Sequence, residues 1–166
     1  MLNKFVSVIL NVIWNPYRFF SQDMPEEKSL KYPIFFALIT TIVPPAIASQ
    51  SPFSLLTPLS LVMNALLAHF LIFLFVPQRA GFRETLKVFL YASAANIFLV
   101  IPVIGNFLLA IFGIRAFIFG LSAAHKVSAL KMFLLLVIVP IIAVVIILYL
   151  STVYFGTTFL SFWEHI

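Results

Sequence analysis

The residues able to do chemistry in this sequence are the few polar groups standing inside apolar runs, and Arg115 leads them. It lies nine residues before Ala124 in an otherwise apolar stretch, which is ~13 Å of depth at helical rise. An arginine so far into hydrocarbon is costly and points to an anion held there: a lipid phosphate, a substrate anion or a partner's carboxylate. The alternative is a side chain snorkelling back to the headgroups. Glu84 is the most available ion-pair partner, and His69 is a second candidate for the same polar pocket. Ser122 and Lys126 share the side of the helix that carries Arg115. A basic track of this kind suits an anionic lipid headgroup.

Catalytic patterns are nearly absent. The histidines His69, His125 and His165 lie far apart in the sequence, with no second ligand at helical spacing, so no metal site is expected. Gly81, Gly105, Gly113, Gly120 and Gly156 form no phosphate-cradling loop. Every carboxylate falls at or beyond the edge of an apolar run, which argues against paired-aspartate proteolysis and proton relay. There is no cysteine, hence no disulfide, thiolate chemistry or sulfur-ligated metal. The expectation is a non-enzyme without a cofactor.

The elements that must position these groups follow from composition. Of 166 residues, 63% are hydrophobic and 9% charged, against roughly 45–50% and about 25% in soluble domains. That excludes a water-soluble globule and a disordered chain, and it implies an integral membrane protein of one domain. The net charge of +5 comes from Lys and Arg scattered singly between apolar blocks, a topological signal and not a nucleic-acid surface.

Five apolar spans are expected, at about 33–48, 59–76, 82–101, 103–124 and 132–150. Pro44 and Pro45 should distort or end the first, and Pro140 should kink the last. Pro102, Gly105 and Asn106 mark a tight hairpin between the third and fourth; a re-entrant pair that does not cross fully is the alternative. Nine of the ten Lys and Arg fall in the N-terminal segment and the connections after the second and fourth spans. The opposite loops carry none, which predicts a cytoplasmic N-terminus and an external C-terminus in an inner membrane. Tyr154 and Trp163 suit the outer interface.

Residues 2–14 place Leu2, Phe5, Val6, Ile9, Leu10 and Ile13 on one helical face, with Asn3, Lys4, Ser7 and Asn11 on the other. This predicts an amphipathic helix ended by Asn15-Pro16, either lying on the cytoplasmic leaflet or packed as an arm against the ends of the spans. Ser21–Lys31 is expected as a solvated connector. The organisation is thus 1–31 helix and connector, 32–155 five-span domain, 156–166 external tail. Gly113, Ala116 and Gly120, with Ala124, form a small-residue stripe suited to close packing on Ala92, Ala95 and Asn96 of the third span.

Trp14-Asn15-Pro16 with Phe19-Phe20, then Gly81-Phe82-Arg83-Glu84-Thr85-Leu86, Tyr91-Ala92-Ser93, Pro102 with Gly105, and Gly120-Leu121-Ser122 followed by His125-Lys126-Val127-Ser128 resemble the bacterial branch of the Yip (Ypt/Rab-interacting protein) family. The resemblance covers about residues 14–150 and rests on order and spacing. It implies a five-pass membrane domain with a cytoplasmic N-terminus. Eukaryotic relatives act in vesicle traffic and bind small GTPases and one another. Their acidic, aromatic N-terminal region is missing here, and Ala94-Ala95-Asn96 replaces a proline common in the family, so GTPase binding is not implied. The expected function is a membrane scaffold or a module interacting with lipid, with itself or with other membrane proteins. The alternative is a small transporter, channel or scramblase using the polar site around Arg115.

Overall fold

Helix α1 (Leu2–Trp14) ends where Asn15 leaves helical geometry, at φ −129° and ψ 56°, ahead of Pro16. Proline lacks the N–H needed inside a helix but suits a first turn, and Pro16 opens α2 (Pro16–Arg18), which widens into a π-helical turn over Phe19–Asp23. The elements that follow are α3 (Lys31–Ser49), α4 (Thr57–Phe75) and α5 (Phe82–Ala92, continuing as a 3-10 helix over Ser93–Val100). After them come α6 (Gly105–His125), α7 (Ala129–Phe133, then a second π-helical turn over Leu134–Ile138) and α8 (Val139–Glu164). The computed structural model describes residues 2–24, 29–49, 56–77 and 79–164, with side chains except at 48–49 and 154–164. The side chains of Glu26, Glu27, Lys28, Tyr154, Trp163 and His165, and most of the loop after α3, lie outside the described residues.

The fold is all-α, with no strand among the described residues. Each expected apolar span forms helix, and three are long and apolar enough to cross a membrane: Thr57–Phe75, Gly105–His125 and Ala129–Val153. Leu2–Trp14 and Lys31–Ile47 are apolar but shorter. Neighbours alternate in direction. Phe36 and then Thr40 of α3 meet Tyr91 and then Ser93 along α5, so those two run parallel. His69 near the end of α4 meets Thr85 near the start of α5, and Ala80 just before α5 meets His125, the last residue of α6. The starts of α3 and α5 and the ends of α4 and α6 therefore share one end of the bundle, the basic end.

Three local readings change. The helix of α3 runs through Pro44 and Pro45 and does not stop there. Each proline strips the carbonyl four residues back of its donor, but unwinding in hydrocarbon would orphan more backbone than it relieves. At Pro140 the disturbance is the π-helical turn just before it, where an extra residue makes room for the proline ring. The supposed solvated connector begins as helix through Asp23.

The third span is thin by design of its residues. Ser93 bonds back to the Leu90 carbonyl and to Thr40 Oγ1 at 2.6 Å, and the helix tightens to 3-10 geometry from that point. Eleven α and eight 3-10 residues span about 33 Å at ~1.5 and ~2.0 Å per residue, enough for a ~30 Å core. The hairpin to α6 turns over the four residues 101–104, with Ile104 N–H donating to the Pro102 carbonyl at 2.7 Å across Val103, which sits at φ 65°.

The core centres on Phe20, Phe36, Met24, Ile72, Val88, Leu121 and Met132, all buried. Helix α1 joins it by Val8, Ile9, Val12 and Ile13, while Leu2, Val6 and Leu10 stay exposed. Phe5 meets Phe36 early in α3, with ring centroids 5.0 Å apart, and Trp14 meets Phe112 at 5.7 Å. Phe112 lies ~20 Å from the basic end of α6. The helix thus dips inward and does not lie flat, and α2 brings the chain back, with Phe20 against Gly120. Residues 2–24 form a helical hairpin wedged against α5 and α6.

Candidate functional site

Among the described residues, the candidate site residues expected in one pocket fall into three separate sets. The first is a relay across three helices. Ala80 N–H donates to His125 Nδ1 at 3.1 Å, so that nitrogen carries no proton and the ring proton sits on Nε2. Nε2–H then faces Thr85 Oγ1 at 3.0 Å, which leaves the Thr85 hydroxyl proton to donate to His69 Nδ1 at 2.8 Å. Thr85 and His125 are buried, and His69 packs edge-on against Phe82 at 5.5 Å. The network pins α4, α5, α6 and the connector before α5 at one point. No group of three metal-binding side chains occurs among the described residues.

The second group is local. Glu84 binds Lys87, one turn along α5, at 3.1 and 3.3 Å, and does not reach Arg115. A neighbour on the same helix face needs no long-range ordering to pair, so it wins over a distant guanidinium. Ser122 closes α6: its hydroxyl donates to the Val127 carbonyl at 2.6 Å, Val127 N–H returns to the Ser122 carbonyl at 3.1 Å, and Lys126 turns the chain in left-handed geometry at φ 54°. Lys126 is exposed beyond that cap. The basic track rising from Arg115 is therefore broken by a buried structural serine.

Arg115 itself forms the third group. Its Nη2 donates to the Trp14 carbonyl at 3.1 Å. That carbonyl is at the C-terminus of α1, where helix carbonyls lack intrahelical partners and the dipole favours a cation. Arg115 thus holds the tip of the N-terminal hairpin.

The small-residue stripe lies on the packed side of α6. Gly113, Ala116 and Gly120 are buried, as are Ala92 and Ala95, whereas Asn96 is partly exposed. A β-carbon added at Gly113 would touch that of Ala95 at 3.8 Å, and one at Gly120 would meet Val88 at 2.6 Å and Phe20 at 3.0 Å.

Sequence reasoning missed Thr85 and His125. Their signal was faint: one hydroxyl in the charged first turns of α5, and one histidine at a helix end facing it.

A family model for the Yip1 domain matches residues 10–151. The chain belongs to the Yip1 domain family. The match begins inside α1 and ends within α8, so the Yip1 domain here takes in most of the N-terminal hairpin, the histidine relay and the α6 cap. Searches of the curated proteins and of the solved structures return no match.

Proposed function

We propose that this Yip1 domain is a non-catalytic membrane module that binds membrane components, lipid or another membrane protein, at its basic end, with that end and the N-terminus on the cytoplasmic side of an inner membrane. The observation that carries this is where polar groups are spent. Arg115 and His69 are tied to partners on other helices, and Glu84 and Ser122 to partners within a turn or so of the chain. The cavity between α4, α6 and the start of α8, about 320 Å³, is apolar apart from Asn64, which suits acyl chains better than a solute. Among the described residues, the side chains of Asn11, Asn15, Arg18 and Asp23 on the hairpin stand without a hydrogen bond or ion pair.

The rival reading, a transporter, channel or scramblase, draws on a cavity of about 270 Å³ where Arg115 lies with Tyr17, Arg18 and Phe119. Reconstitution in vesicles separates the two. The module should give dye efflux and fluorescent-lipid flipping equal to empty vesicles, while retaining lipid or capturing a second membrane protein on mild extraction. Flux that disappears in Arg115→Gln would overturn the binding reading in favour of the rival.

A further inference from the structure

The hairpin of residues 2–24 borders a cleft that meets the Arg115 cavity at Asn15 and Arg18. Two adjoining cavities, about 390 and 250 Å³, share Asn11, Phe19 and Asp23. Lys4 and Tyr91 line one and Arg18 and Asn15 the other. The side chains of Asn11, Asn15, Arg18 and Asp23 make no hydrogen bond or ion pair among the described residues. A guanidinium, a carboxylate and two amides thus face one cleft with their bonding capacity unspent.

We infer that this cleft binds the headgroup of a zwitterionic, phosphoethanolamine-type phospholipid, an assignment that rests on the lipid-binding reading above and names its ligand. Arg18 supplies a planar fork matched to phosphate oxygens, with the Asn11 and Asn15 amides as further donors. Asp23 provides the complementary anion for the ammonium, in a cavity that Phe19 and Tyr91 also line. A headgroup carrying phosphate alone would leave Asp23 facing like charge, so the carboxylate selects for an amine.

Two features place a lipid there in preference to a soluble phosphate. Lys4, at the rim, sits 4.5 Å over the Tyr32 ring at the start of α3, which sets the mouth of the cleft at the basic end, with Asn15 and Arg18 deeper, toward Arg115. A third cavity, about 420 Å³, shares Ser7 and Asn11 with the cleft and opens onto Leu2, Val6 and Leu10, the exposed apolar ridge of α1. Headgroup and acyl chain find adjoining surfaces of the right kind.

The test titrates delipidated full-length protein with phosphatidylethanolamine, phosphatidylglycerol or soluble phosphoethanolamine and reads bound ligand by native mass spectrometry. Wild type should hold phosphatidylethanolamine at least about tenfold more tightly than phosphatidylglycerol, the scale of a charge-assisted bond. Arg18→Gln should weaken both lipids, Arg18→Lys should restore part of the loss, and Asp23→Asn should erase the preference between them. Both side chains are exposed, and an unchanged unfolding midpoint certifies each variant. Soluble phosphoethanolamine binding as tightly as the lipid would overturn the lipid source. Lipid retention indifferent to both positions would sink the cleft assignment while leaving the binding reading standing. Flux in vesicles with selectivity intact would do the reverse.

Discussion

At Thr85 one hydroxyl serves two imidazoles, so its removal orphans a buried nitrogen on His125 and a half-buried one on His69. Thr85→Val keeps the shape and should destabilise the protein by about 1–3 kcal/mol, whereas Thr85→Ser should cost far less; thermal unfolding in detergent measures both. The relay also fixes tautomers. ¹⁵N spectra should show His125 protonated on Nε2 and bare on Nδ1, and Thr85→Val should release the order at His69. Arg115 makes a different kind of bond, to main chain, and Arg115→Gln should leave the bundle folded while raising amide exchange over the last turn of α1. Arg115 and His69 stood out in the sequence because polar groups in apolar runs always do. Their partners did not, because pairing depends on contacts between residues far apart in the chain. Trp14 and Arg115 are joined by a carbonyl that every residue possesses, and no side-chain pattern could have flagged it.

Among the elements, close approach is concentrated at two glycines. Gly120→Ala should destabilise by about 1–3 kcal/mol through its clash with Val88 and Phe20. Gly105→Ala should do at least as much, because the added carbon would run into the Phe98 carbonyl, which cannot move as a side chain can. Gly81→Ala, with nothing within 4 Å, is the control and should be neutral; unfolding midpoints of the three rank them. Val103, 97% exposed and held at positive φ, carries the opposite burden. Val103→Gly should gain about 1 kcal/mol by relieving a left-handed β-branched residue. The helices were legible because apolar runs and proline positions are local facts. The orientation of α1 was legible only in part. Of its expected face, Phe5, Ile9 and Ile13 turn inward with Val8 and Val12, while Leu2, Val6 and Leu10 turn out. An apolar arc this wide serves protein on one edge and lipid on the other, and periodicity alone does not say which edge is which.

For the whole molecule, the basic end and the Val103 hairpin must face opposite compartments if the charge count sets the topology. The absence of cysteine makes the measurement clean. A single cysteine at Lys131 should react with an impermeant maleimide only in inverted vesicles, and one at Val103 only in right-side-out ones. Equal labelling of both in one orientation would show that the hairpin of α5 and α6 turns back within the bilayer.

The contact between Arg115 and Trp14 bears on how the protein is made. Synthesis delivers the first two dozen residues before α5 and α6 exist, yet those two helices provide their seat. The N-terminal segment must therefore wait, its apolar ridge against the membrane surface, until about a hundred further residues have emerged. Helix α1 is made before its seat and docks only once α6 has emerged, so a ribosome stalled before residue 115 would leave it unanchored.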